Sequence, residues 1–119
     1  MKVLIYGGTG MLGHMLFWYL NSKYAGKIQA YATVRSEGSG KLFPQGLRPL
    51  LLPGVDASRP DSLKEAAALV KPDLVVNAIG LIRQLPEGKQ PYPCIELNAR
   101  LPHLINKIAA DCGARMVHY

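Results

Sequence analysis

The fold is decided by residues 3–13, which read VLIYGGTGMLG. An apolar run of strand type leads into a cluster of glycines, and an apolar stretch of helix length follows. The glycines satisfy G-x-x-G-x-x-G from Gly7 and G-x-G-x-x-G from Gly8. Residues without side chains let the N–H groups at a helix N-terminus approach a pyrophosphate closely. The pattern therefore predicts a dinucleotide-binding site. The alternative is a glycine turn that binds no ligand, in an unrelated α/β domain.

Strand-like and helix-like segments alternate along the rest of the chain. Hydrophobic periodicity predicts strands over residues 3–6, 28–34, 47–52, 74–79 and 115–119, and helices over 11–24, 58–70 and 95–112. Such alternation gives βαβ units, and their right-handed crossovers make a parallel sheet. We therefore expect one α/β domain over residues 1–119, a Rossmann-like doubly wound sheet with strand order 3-2-1-4-5. In that order, residues 7–13 and 77–81 converge on one crevice.

Local signals refine these elements. The residues predicted to face the core from the first helix are Met11, Leu12, Met15, Leu16 and Leu20. Ser58 and Asp61 are spaced as a capping box for the second helix, and Pro102 is expected to kink the third. Residues 36–40 are expected to form a loop.

Composition and charge narrow the class of protein. The chain is 49% hydrophobic and 18% charged, as in a soluble globular protein. No run of Lys or Arg exceeds one residue, so the net charge of +6 does not predict nucleic-acid binding, and we expect no membrane partner. A secretory signal is disfavoured because glycines interrupt the apolar N-terminus. Cys94 and Cys112 form neither a disulfide framework nor a metal site, which suits the cytoplasm.

The residues after the second strand predict the cofactor. An NAD site normally carries an acidic residue there, because a carboxylate accepts both ribose hydroxyls. Here the stretch 32–36 reads ATVRS, and Arg35 offers a planar donor fork to a 2′-phosphate. The sequence therefore favours NADP, with NAD possible; an ordinary surface role for Arg35 is the alternative. Basic residues outnumber acidic ones up to Val55, which weakly supports an anionic cofactor.

Three segments together resemble the extended short-chain dehydrogenase/reductase family. They are GGTGMLGH at 7–14, PDLVVNAIG at 72–80 and ELNARLPH at 96–103, in order and over the whole chain. The nearest subgroup is that of sugar-nucleotide reductases and epimerases of the dTDP-4-dehydrorhamnose reductase type. The resemblance implies an oxidoreductase with an NAD(P) cofactor and a small sugar-nucleotide substrate.

The resemblance also implies roles for individual residues. In the family the glycine turn holds the pyrophosphate, here Gly7, Gly8, Thr9, Gly10, Met11, Leu12 and Gly13. Asp56 and Ala57 match residues beside the adenine. Asn77, Ala78, Ile79 and Gly80 match the stretch that lines the cofactor after the fourth strand, and Asn98 matches a residue behind the catalytic site. Each of these polar residues can instead have a purely structural role. Asp56 can start a turn, Asn77 can hydrogen-bond to its own backbone, and Asn98 can be a polar helix residue whose hydrogen bonds are all made within the protein.

No catalytic residue is predicted within the chain. The resemblance implies a Ser or Thr beyond the fifth strand and a later Tyr-x-x-x-Lys, and the sequence stops at Tyr119. Tyr19 and Lys23 match that spacing, but they lie on the first helix behind the glycine turn, so we interpret the match as coincidence. His14 and His103 are expected to be surface or packing residues, and Arg83 and Gln84 to lie in a solvated loop.

Three functions stay open at this stage. The first is the N-terminal, cofactor-binding part of a reductase or epimerase, without its catalytic and substrate-binding part. The second is a non-catalytic NADP-binding or redox-sensing domain on the same fold. The third is a structural domain whose glycines bind nothing. We also expect self-association, through an uncovered fifth strand and an uncovered apolar face on the third helix, comprising Leu97, Leu101, Leu104, Ile105 and Ile108.

Overall fold

The computed structural model describes residues 1–79 and 101–118. The strands are β1 (Lys2–Tyr6), β2 (Gln29–Thr33), β3 (Leu51–Leu52), β4 (Leu74–Asn77) and β5 (Arg115–His118). The α-helices are α1 (Met11–Lys23), α2 (Pro60–Val70) and α3 (Leu101–Asp111). The strands pair in parallel in the order β3-β2-β1-β4-β5, which confirms the predicted fold and strand order. None of the helices in these ranges is long and apolar enough to cross a membrane.

The sheet is covered on both faces. Alternate strand residues belong to two core clusters: Leu4, Tyr6 and Val75 pack with α2 and α3, whereas Val3, Ile5 and Val76 pack with Phe17 of α1. Central strands buried on both faces have continuous apolar sequences, which explains the uninterrupted runs of β1 and β4.

A buried hydroxyl ties the central strand to α2. Tyr6 is fully buried, and its hydroxyl donates a hydrogen bond of 2.6 Å to the carbonyl oxygen of Leu63. Burial raises the pKa of this phenol well above its usual range. Tyr6 therefore stays neutral, and its hydroxyl is satisfied inside the core.

The face of α1 that packs on the sheet differs from the predicted one. Gly13 and Phe17 are the buried residues of this helix, while Met11 is 83% exposed and Met15 is 63% exposed. Leu16 and Leu20, by contrast, do pack against the core. The helix is apolar on nearly every side, so its sequence does not specify which side faces inward. The buried side is the one on which Gly13 lies close to Gly7, as described below.

The third strand is shorter than predicted. Two 3₁₀ segments, Glu37–Leu42 and Gln45–Leu50, replace the expected loop and the first part of the expected strand. Only Leu51 and Leu52 pair with β2. Pro49 has no N–H to donate to a β-ladder, which disfavours an earlier start of this strand.

The start of α2 and the surface of α3 also depart from the predictions. The predicted capping box is wrong: α2 begins at Pro60 and no side chain caps it. Proline suits this first position because its missing N–H has no helical partner there. On α3, Leu101, Ile105 and Ile108 are buried and Leu104 packs against the same core, so these residues form no uncovered face. Pro102 lies in the first turn of the described helix; residues 95–100, and with them Leu97 and the predicted kink, lie outside the described residues.

Candidate dinucleotide site

The glycine turn is anchored to the end of β2 by one threonine. The backbone N–H of Gly7 donates to Thr33 Oγ1 at 3.1 Å, and that of Gly8 donates to the Thr33 carbonyl oxygen at 2.8 Å. Thr33 is 2% exposed. The sequence analysis did not single out this residue, because only the pairing of β1 with β2 brings it beside the glycines.

The glycines of the turn differ in what surrounds them. Gly7 has a φ of 94°, and a Cβ there would lie 2.9 Å from the Ala78 carbonyl group. A Cβ on Gly8 would lie 2.8 Å from Ala32 Cβ, and one on Gly13 would overlap the Gly7 carbonyl oxygen. A Cβ on Gly10 would meet the Gly7 oxygen at 3.6 Å, which is ordinary contact. Packing therefore requires glycine at three of the four positions, and Gly10 is the one at which the fold tolerates a side chain.

The turn delivers the chain to an uncapped helix N-terminus. Gly10 occupies the N-cap position of α1 without a side-chain hydrogen bond, and the first turn holds no acidic residue. Thr9, Met11 and Leu12 are exposed. The first N–H groups of a helix have no intrahelical partner and carry partial positive charge, so this end suits an anionic group. The glycines and this helix end fit the pyrophosphate of a dinucleotide.

The end of β4 meets the same turn. Tyr6 pairs with Asn77, and the Ala78 N–H donates to the Tyr6 carbonyl oxygen at 2.9 Å. Asn77 is fully buried, and its Oδ1 accepts the N–H of Ile79 at 3.1 Å. Asn77 thus holds the backbone of Ala78 and Ile79 in position beside Gly7. The glycine turn and residues 77–79 therefore converge at the same edge of the sheet, as predicted; Gly80 and Asn98 lie outside the described residues.

Arg35 and Asp56 lie together at the neighbouring edge of the sheet. Arg35 Nη2 is 3.5 Å from Asp56 Oδ2, and the side chains are 80% and 27% exposed. Asp56 Oδ1 accepts both the N–H and the hydroxyl of Ser58 at 2.9 Å, the turn that the sequence allowed as an alternative. The Ser58 N–H, its hydroxyl and the charges of Arg35 and Arg59 lower the pKa of Asp56. Ala57 packs partly buried against the core.

The remaining candidate residues lie away from this crevice. The His14 ring stacks on Phe43 at 4.7 Å between centroids, as expected of a packing residue, and His103 is exposed on α3. Lys23 Nζ lies 5.8 Å from the Tyr19 ring centroid near the C-terminal end of α1, the opposite end from the glycine turn. Cys112 is a free, exposed thiol. Arg83, Gln84, Cys94 and Tyr119 lie outside the described residues.

Solved structures share this fold over almost the whole chain. UDP-glucose 4-epimerase from Thermus thermophilus, solved with NAD, is 16% identical with a TM-score of 0.74, over 96% of this chain and 35% of that one. dTDP-4-dehydrorhamnose reductase from Bacillus anthracis, solved with NADP, is 16% identical with a TM-score of 0.67, and the match covers 97% of this chain and 34% of the reductase. L-threonine 3-dehydrogenase from Trypanosoma brucei is 17% identical with a TM-score of 0.74, and the match covers 98% of this chain and 35% of the dehydrogenase. This chain therefore spans about a third of the length of these proteins.

Sequence comparison gives the family. Among curated proteins, none shows significant similarity to this chain. A sequence profile described as "NAD dependent epimerase/dehydratase family" matches residues 3–119, which include the glycine turn, the end of β4 and α3. The chain therefore belongs to the NAD-dependent epimerase/dehydratase family.

Proposed function

We propose that this chain is the cofactor-binding part of an NADP-dependent oxidoreductase that acts on a sugar nucleotide. The observation that carries the proposal is the glycine turn, whose packing excludes side chains at Gly7, Gly8 and Gly13. That turn leads into an uncapped helix beside the end of β4, in a chain of a family described as NAD dependent.

Each part of the crevice has a proposed task. The turn from Gly7 to Gly13 holds the pyrophosphate at the start of α1. The N–H groups of Gly7, Gly8 and Gly10 already donate within the protein, so the exposed helix end with Thr9, Met11 and Leu12 faces the anion. Asp56 and Ala57 lie beside the adenine. Asn77 orients the backbone of Ala78 and Ile79 along the cofactor, and Gly80 and Asn98 complete this side. When bound, the nicotinamide supplies or accepts the hydride.

Arg35 is the basis for NADP over NAD. A charge-assisted hydrogen bond contributes about 1.5–3 kcal/mol, which corresponds to roughly a ten- to hundredfold preference. The Arg35 side chain is 80% exposed, and one of its nitrogens, Nη2, forms the ion pair with Asp56. The other N–H groups of the guanidinium can therefore donate to a phosphate.

The sugar-nucleotide substrate rests on the motif resemblance and on two of the compared structures. An epimerase of UDP-glucose and a reductase of dTDP-4-dehydrorhamnose share the fold, but so does a threonine dehydrogenase. The catalytic Tyr and Lys are proposed to lie in a part of the protein beyond these residues. A coding sequence continuing past Tyr119 into Tyr-x-x-x-Lys supports the enzyme over the non-catalytic, redox-sensing alternative.

Calorimetric titration of the 119-residue chain with NADPH and NADH tests the cofactor assignment. NADPH should bind more tightly, and Arg35→Asp should reverse the order. Arg115→Asp is the matched control, because it changes the same charge at the amino end of β5, away from the glycine turn. Unchanged NADPH affinity in Arg35→Asp refutes the role of Arg35, and no binding of either dinucleotide refutes the proposed function.

A further inference from the structure

Two residues of opposite charge share the edge of the sheet where NADP and NAD are to be distinguished. Arg35 follows β2 and Asp56 follows β3, and the pairing of these strands sets Arg35 Nη2 at 3.5 Å from Asp56 Oδ2. Arg35 is the residue proposed above to bind a 2′-phosphate. Any anion that approaches its guanidinium therefore encounters a carboxylate already beside it.

Asp56 is held in place by its own turn. The N–H and hydroxyl of Ser58 both donate to Oδ1, which directs Oδ2 toward Arg35. The backbone N–H of Asp56 donates to Ser62 Oγ at 3.0 Å, so the main chain is fixed as well. These bonds, with the charges of Arg35 and Arg59, lower the pKa of the carboxyl, which keeps it ionised at neutral pH.

The second nearby cation does not offset this charge in the same way. The guanidinium of Arg59 donates through Nη2 to the carbonyl oxygen of Gly54 at 2.8 Å, which ties it to the backbone. Among the described residues, Arg35 is the cation within ion-pair distance of Asp56. The charge available to a phosphate at this edge is therefore shared with the carboxylate.

Building on the proposed function, we infer that Asp56 determines how strongly this site prefers NADP over NAD, by competing with the 2′-phosphate for Arg35. A phosphate that binds Arg35 lies close to the fixed carboxylate, and like charges at such range repel each other. Arg35 is 80% exposed and Asp56 27% exposed, so solvent weakens both effects, and removing the carboxylate should raise the preference by about two- to fivefold. NADH lacks the phosphate and does not experience this competition.

The test is the ratio of the NADH and NADPH dissociation constants in Asp56→Asn, measured by calorimetry at low salt. Asparagine keeps the size of the side chain and an oxygen that accepts from Ser58, but it removes the charge. A contact of residue 56 with the adenine affects both dinucleotides alike and cancels in the ratio. The ratio should rise about two- to fivefold, and about 0.5 M NaCl should reduce the difference from the unmodified chain. In a background of Arg35→Gln, Asp56→Asn should raise the ratio less.

Controls separate this inference from its alternatives. Asp111→Asn removes an equivalent exposed charge at the end of α3, near the amino end of β5, and should leave the ratio unchanged. Asp56→Ser replaces Asp56→Asn if the amide variant fails to fold, with the same expected rise. An unchanged ratio, or a lower one caused by loss of an Arg35-positioning contact, overturns the inference while dinucleotide binding itself persists. If neither dinucleotide binds the unmodified chain, the proposed function and this inference both fail.

Discussion

Gly13→Ala should destabilise the protein although alanine favours helices. A Cβ at this position would overlap the carbonyl oxygen of Gly7 and lie 3.0 Å from the Gly7 carbonyl carbon. Both obstacles are backbone atoms, so a side-chain rotation cannot relieve the overlap, and α1 must move away from the sheet. Overpacking of this kind costs about 1–3 kcal/mol, and we expect the upper end. The gain of about 1 kcal/mol in helix propensity offsets part of that cost.

The net loss is therefore about 2 kcal/mol of unfolding free energy, or a fall in Tm of about 8 °C for a domain of this size. Thermal unfolding followed by circular dichroism measures it. Gly46→Ala is the matched control, because a Cβ there meets no atom within 4 Å, and its Tm should stay within about 2 °C.

Gly10→Ala separates the fold from the ligand. Its Cβ makes only ordinary contacts, at 3.6 Å from the Gly7 oxygen and 3.8 Å from the Ala78 oxygen. We expect a loss below about 1 kcal/mol, from the weaker N-cap preference of alanine. If the pyrophosphate lies over this turn, NADPH affinity falls far more than stability does. A Tm of Gly13→Ala within about 2 °C of the unmodified chain, or equal losses for both variants, refutes the reasoning.

Three further predictions follow from residues described above. Tyr6→Phe should lower the free energy of unfolding by about 1 kcal/mol, because it removes the hydrogen bond to Leu63. Since the pKa of Tyr6 is raised in the folded state, the unmodified chain should lose stability as pH rises above about 10, and the variant should lose less. Denaturant unfolding of both proteins at about pH 8 to 11 measures this difference. The 119-residue chain should show no reductase activity with NADPH and a keto-sugar nucleotide; activity abolished by Tyr19→Phe would contradict our interpretation of Tyr19 and Lys23. The chain should self-associate at micromolar concentration, because β5 is the outermost strand among the described residues, with Val117 37% exposed, and α1 exposes Met11, Met15 and Trp18. Sedimentation as a clean monomer would contradict this prediction.

The fold could be predicted because its signals are local and agree with one another. The glycine turn fixes the start of α1, and the apolar runs of β1 and β4 indicate strands covered on both faces. The rotation of α1 could not be predicted in the same way. Its sequence places Leu12, Met15, Phe17 and Trp18 around the whole helix, and the buried side is the one on which Gly13 lies against Gly7.

The candidate site was predictable where its chemistry lies in consecutive residues. Residues 7–13 and the end of β4 met as expected because strand order alone brings them together. The ion pair between Arg35 and Asp56 depends on the register of β2 with β3, which the sequence does not specify. Thr33 is similar: a threonine at a strand end gives no sign that its hydroxyl holds a glycine N–H.

The anchoring of the glycine turn has a kinetic consequence. The N–H groups of Gly7 and Gly8 are bonded to Thr33, and that of Gly10 to the Gly7 carbonyl oxygen, so the backbone is already ordered before a ligand arrives. A ligand that meets an ordered loop spends none of its binding energy on ordering it. Association should then proceed in a single step at a rate set by diffusion and charge, and variants of the turn that keep the fold should shorten the residence time of the dinucleotide more than they slow its arrival.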